Sequence, residues 1–301
     1  SWANSAADAL GIELSSHVER AKEVLPKRRG PPIFGFRKAS IIDPEESVSA
    51  ESPSMTYSAT PLGKRVARLY LNPLSGRILR DGASRAMSIL SGRDESGQVS
   101  PMGLLHLVSC TPDFMPLWIR KNDFDKVQAA LHGHEREFLA ESIDLEDDRR
   151  MKAALVIQSW MEEDSFETIE TDWGVQPGDL RSRVELAEWL LYSTRQIVVD
   201  DDELSLMGRE AHRTLVEAID EVHRRVRYGC KSDLLGLVAL RGVGRVRARE
   251  MARLLGVSEA SDIAELTEKD RSMLSDLRGW SPKLVENLVK TASRAVRSRS
   301  R

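Results

Sequence analysis

From Thr60 to Tyr228 the apolar residues recur three and four positions apart, segment after segment, with turn residues between the segments. That spacing returns to one side of an α-helix, whereas a half-buried strand alternates every second residue. The stretches 83–91, 100–109, 122–140, 148–163, 179–199 and 203–227 carry the helical period, and Ser91-Gly92, Cys110-Thr111-Pro112 and Gln176-Pro177-Gly178 interrupt them. Residues 76–228 are therefore expected to form a bundle of helix packed on helix, and the chain as a whole to be mainly α. Strand signals are confined to the first sixty residues.

In residues 1–25, Ala6, Leu10, Leu14, Val18 and Ala21 trace an amphipathic helix that Pro26 ends. Two short strands are expected at 33–36 and 55–59, on either side of a Ser/Glu/Pro-rich loop from Asp43 to Ser54. Residues 1–75 thus read as a small α/β unit, in the order of a partial winged helix. The basic segment 229–301 makes a third unit, and a length of 301 residues accommodates two or three.

Composition removes several classes. Apolar residues at 41% and charged residues at 30% belong to a soluble globular chain. No apolar run approaches the roughly 20 residues of a membrane helix. Cys110 and Cys230 supply neither a disulfide framework nor a CxxC pair, so a reducing, cytoplasmic setting without structural zinc is expected. His132 and His134 beside Glu135 read as a solvated helix or turn rather than metal ligands, and the runs Glu146-Asp147-Asp148 and Asp200-Asp201-Asp202-Glu203 as solvated helix ends. There is no GxxxxGK[ST] loop and no nucleophile with a neighbouring base, so no catalytic residue, metal or cofactor is assigned.

The net charge of −3 conceals an asymmetry. Residues 241–250 hold four arginines against one acid, and residues 271–301 hold eight basic residues against two acids. Within the basic part lies Leu240-Arg241-Gly242-Val243-Gly244-Arg245-Val246-Arg247-Ala248, between two helical stretches. It fits a helix-hairpin-helix, in which Gly242 and Gly244 permit positive φ and leave the backbone bare, so that amides opening the second helix can approach a phosphate. Arg245, Arg247 and Arg249 would add charge to that contact without reading bases. A second copy, Leu277-Arg278-Gly279-Trp280-Ser281-Pro282, opens a helix that carries Lys283.

The helix after Gly178 is expected to be N-capped by Asp179, with Leu180, Val184, Ala187, Leu191 and Val198 as its core stripe. Trp189 falls opposite that stripe, on the side of Arg181, Glu185, Tyr192 and Gln196. A tryptophan beside an arginine suits base stacking on single-stranded nucleic acid. Packing of Trp189 against another domain is the alternative, and periodicity by itself favours it.

Four stretches together resemble the C-terminal part of the archaeal superfamily-two repair helicases of the Hjm type. They are Ala59 to Val66 with Leu69-Tyr70, Leu104 to Asp113, Gly178 to Leu190, and Arg225 to Gly229 continuing through Arg241 to Ala248. They occur in the family's order over about residues 55–255. The resemblance implies the end of a winged helix, a ratchet bundle and a helix-hairpin-helix domain that grips or brakes single-stranded DNA. It implies that Trp189 stacks on a base, with Arg181 in the place of the family's upstream arginine. The family's two motor domains, which would bring ATP and Mg, are missing from this sequence. The chain is therefore expected to bind single-stranded or forked DNA without hydrolysing ATP. It would do so as a fragment, a split subunit or a motor-less paralogue, with a motor subunit or replication protein as a further partner. The competing readings are a protein-interaction scaffold and an RNA-binding helicase accessory region.

Overall fold

A computed structural model describes residues 42–46, 55–140 and 146–299. The helix expected over 1–25 and the strand expected at 33–36 lie outside the described residues. The chain divides into two compact units, residues 1–77 and 78–301. Residues 78–301, one of these units, hold both the bundle and the basic segment.

In the first unit, β1 (Ile42–Glu46) pairs antiparallel with β2 (Met55–Ala59), Ile42 standing opposite Ala59 and Pro44 opposite Tyr57. The strand at 55–59 is as expected, whereas Asp43 to Glu46, expected to begin a loop, lie in a strand. Pairing gives residues 43–46 backbone partners, and a two-stranded sheet consists only of edges, where a proline is tolerated. Thr60 then caps α1 (Pro61–Arg68), its hydroxyl accepting from the Gly63 amide at 3.0 Å, with Pro61 as the first helical residue.

The second unit is helical throughout its described residues. After α2 (Pro73–Leu90) comes α3 (Pro101–Ser109), in which every residue from Met102 to Ser109 is buried. A helix apolar on all sides belongs at the centre of a bundle. Around it run α4 (Phe124–Gly133), α5 (Asp147–Met161), α6 (Phe166–Trp173), α7 (Pro177–Asp200), α8 (Asp202–Leu206) and α9 (Arg209–Tyr228). Helices α3 and α5 pack together, and α7 and α9 lie against each other. The periodic stretch 122–140 is α-helical only from Phe124 to Gly133, followed by a 3-10 turn at Glu135–Glu137, and Met207-Gly208 divides 203–227 into α8 and α9.

Helix α7 begins at Pro177, with Gln176 in the cap position, so Asp179 is not the N-cap. Proline at the first helical position has no amide to leave unsatisfied, and Asp179 instead sits in the first turn, where its carboxylate suits the helix dipole and takes Arg183 at 3.4 Å. The whole expected stripe from Leu180 to Val198 is buried, and Leu190, Ser193, Thr194 and Ile197 widen it.

The last part contains α10 (Leu235–Val238), α11 (Arg245–Leu255), α12 (Ala260–Ala264), α13 (Glu268–Ser275) and α14 (Pro282–Arg299), which enclose one core that includes Leu237, Met251, Ile263, Leu274 and Val285.

Candidate nucleic-acid interface

The two Gly-containing turns repeat each other bond for bond, 37 residues apart. Leu240 donates to Leu237 and Val243 to Leu240; likewise Leu277 donates to Leu274 and Trp280 to Leu277. Each turn opens a helix with the same bond, Ala248 to Gly244 at 3.0 Å and Val285 to Ser281 at 3.0 Å. Gly242 and Gly279 both hold positive φ, 89° and 86°, which an L side chain adopts only with strain. A Cβ at Gly242, Gly244 or Gly279 would meet nothing within 4 Å. Gly244 has an extended backbone (φ −92°, ψ 168°), so neither conformation nor packing requires glycine there. Its effect is to leave the start of α11 uncovered.

Arg247 joins the turns. Its guanidinium donates to the Gly242 carbonyl at 3.3 Å and the Gly279 carbonyl at 3.4 Å, and lies 5.7 Å from the Trp280 ring. Trp280 is buried and donates its indole N–H to Glu250 at 3.0 Å. Between the turns is a cleft of ≈ 430 Å³ lined by Gly244, Arg247, Arg278 and Gly279 among others.

Arg245 and Arg249 turn the other way, onto the bundle. Arg245 donates to the carbonyls of Trp160, Gly229 and Asp164 at 3.1–3.2 Å and stacks 3.8 Å over the Trp160 ring. Burial lowers its pKa from the ordinary arginine value. Arg249 donates to Glu163 at 2.8 Å and to Asp233 at 2.6 Å, and these two bonds raise its pKa. Burial pushes the Glu163 carboxyl up, but the bonds from Arg249 and the Lys231 amide together with the Arg249 charge outweigh it, and the net shift is downward. Glu163 has a φ of 74°, an uncommon conformation for a non-glycine residue, just beyond α5. Both arginines thus engage their charge inside the chain. The cleft beside them, ≈ 630 Å³, carries the acids Glu162, Glu163, Asp233 and Glu250 against the bases Lys231, Arg245, Arg249 and Arg253, so it has no excess of positive charge.

Arg241 and Arg278 were not singled out from the sequence. They occupy equivalent places before the two positive-φ glycines, both are exposed, and among the described residues neither has an ion-pair partner. Lys283, exposed at the start of α14, has none either. Aligning the two turns on their glycines would have paired Arg241 with Arg278; counting arginines along α11 did not.

On α7, Trp189 is half-buried rather than exposed, because the buried face of the helix is wider than the stripe. Arg181 is 81% exposed and pairs with Glu185 at 2.9 Å, while Arg183 is 12% exposed and turned inward. Trp189 and Arg181 line neither cleft described above.

The acidic run at 200–203 is a helix junction: Asp201 caps α8 and, with Glu203, holds Arg80 at 3.0 and 2.9 Å. His132 is exposed and bonds the Gln128 carbonyl, and His134 bonds Glu137. One trio missed in the sequence is His106, Cys110 and Asp147, buried with donor atoms within 4.8 Å of one another. Asp147 also pairs with Arg150 at 3.0 Å, and His106 stacks on Phe138. Burial, helped by Arg150, lowers the His106 pKa to about 4, so the imidazole is neutral near pH 7.

Residues 102–229, from α3 to the end of α9, match the family model described as archaeal helicase, domain 4. Over these residues the chain is similar to that archaeal helicase domain. The hairpins follow directly after this domain 4. Over 215 residues the chain is 33% identical to the ATP-dependent DNA helicase Hel308 of Methanocella arvoryzae, covering 69% of this chain and 27% of that relative. It is 28% identical to Hel308 of Pyrococcus horikoshii over 243 residues, and 28% to that of Pyrococcus abyssi over 241, covering 79% of the chain and 31% of each relative. The chain corresponds to a Hel308-type C-terminal part and spans under a third of the length of these relatives. Among the described residues no helix is long and apolar enough to cross a membrane.

Proposed function

We propose that this chain binds single-stranded or forked DNA, as the gripping part of a helicase whose motor is supplied by other domains or another subunit. The observation that carries this is the pair of hairpin turns. Two bare glycine backbones each precede a helix start, and each is flanked by an arginine, Arg241 or Arg278, without an internal partner. Uncovered amides at the start of α11 and the unpaired guanidinium groups of both turns suit phosphates, which fix a strand's position without reading its sequence. Similarity to DNA helicases supports DNA as the polyanion. On α7, Trp189 and Arg181 supply base stacking and charge.

The test is a titration with oligo-dT at several salt concentrations. Replacing both Arg241 and Arg278 by alanine is expected to weaken binding and reduce the salt slope by about 1 to 2. Trp189→Ala is expected to weaken it by about 1–3 kcal/mol at any salt. An unchanged slope removes the hairpins from the interface, and an unchanged affinity removes Trp189. If oligo-U of equal length binds as well as oligo-dT, the preference for DNA is lost.

A further inference from the structure

We propose that Trp118 is a second base-stacking contact for single-stranded DNA, on the loop between α3 and α4; this rests on the DNA-binding reading above. Trp118 is 79% exposed, and a single exposed apolar side chain is ordinary by itself. What is unusual is how firmly its backbone is held. Phe114 and Leu117 beside it are buried. Its carbonyl accepts from Lys152 at 2.7 Å, and the same ammonium donates to Asp123 at 2.7 Å. Lys152 and Asp123 are both buried, and the Arg120 backbone amide and guanidinium also bind Asp123. Removing an ion pair from water is expensive, and its effect here is to fix the segment that presents the indole.

The ring is prepared on one side. The Arg149 guanidinium lies 3.7 Å from its centroid and is itself held by Glu146 at 3.0 Å. With one face occupied, 79% exposure leaves the opposite face open to a planar partner. The nearby sequence is cationic: of the exposed charged residues from 118 to 126, Arg120, Lys121 and Lys126 are basic and Asp125 is acidic. A pre-ordered aromatic plane backed by a guanidinium, on a segment rich in basic residues, matches a base with its phosphates. Because Trp118 contributes nothing to the core, its replacement should leave the fold intact.

The experiment uses the full chain and fluorescein-labelled oligo-dT long enough to reach beyond a single contact, comparing wild type, Trp118→Ala, Trp118→Phe and Trp189→Ala. The expected result is a loss of about fivefold or more for Trp118→Ala, largely restored in Trp118→Phe, which keeps a stacking face. Photocrosslinking from 5-iododeoxyuridine in the same oligonucleotide is expected to label Trp118. If wild type and Trp118→Ala bind equally well and no crosslink forms at Trp118, the proposal is overturned, the DNA-binding reading stands, and the indole is left to a protein partner. If wild type fails to bind oligo-dT, the DNA-binding reading fails and this proposal with it.

Discussion

Two glycines two residues apart make different demands on the chain. Gly242 is held at a φ of 89°, so Gly242→Ala should cost about 1–2 kcal/mol in stability even though a Cβ would collide with nothing. Gly244 has a φ any residue adopts and equally open surroundings, so Gly244→Ala should cost less than about 1 kcal/mol. If the backbone at the start of α11 meets a phosphate, Gly244→Ala should nonetheless weaken DNA binding. Urea midpoints and anisotropy titrations separate these effects, and a Gly244→Ala variant with unchanged affinity would rule out that contact. Both glycines stood out in the sequence, but which was conformational and which merely uncovered became clear only from φ and the empty space around each.

At the scale of elements, α11 is a basic helix with two faces. Arg245 and Arg249 lie four residues apart and share the face that meets α5 and the start of α10, whereas Arg247 points to the other hairpin. Arg249→Met would leave Glu163 and Asp233 without their shared partner and should destabilise the C-terminal helices by about 1–3 kcal/mol. Hydrogen exchange over residues 235–255 should quicken accordingly. Arg241→Met, which breaks no internal bond, should leave exchange unchanged; equal effects in both variants would contradict this division of roles. The helical period located most of the bundle, including the buried stripe of α7, because burial repeats with the turn of the helix. It did not show which side of α11 faces the bundle, since that depends on a partner surface more than 60 residues away in sequence. The short helices α12 and α13 were missed for a related reason: five and eight residues are too few to display a period.

For the whole molecule, acid should reduce stability in two stages. The His106 pKa is about 4 in the folded chain against an ordinary 6.5, so between those values the unfolded state binds more protons. The contribution of His106 is complete above about pH 6.5 and declines as pH falls to about 4, by at most about 1.4 kcal/mol per unit. Burial pushes the Asp123 carboxyl up, and the hydrogen bonds from Arg120 and Lys152 outweigh it and hold it down to about 2. Its contribution is therefore lost below about pH 4, as the carboxyl of the unfolded chain begins to protonate. Thermal midpoints recorded against pH should show both declines, and His106→Gln should flatten the upper one; a profile for that variant parallel to wild type would refute the assignment.

Arg247 holds the carbonyls of both glycine turns, and the helices behind them share one core, so the turns move as a single body. For a flexible ligand this amounts to bivalency. Under the proposed function, a strand whose phosphate is caught at the first turn is presented to the second at a high effective concentration, and two individually weak contacts multiply rather than add. A strand too short to bridge the turns would lose that advantage, so affinity should rise with oligonucleotide length in a step and not in equal increments per nucleotide.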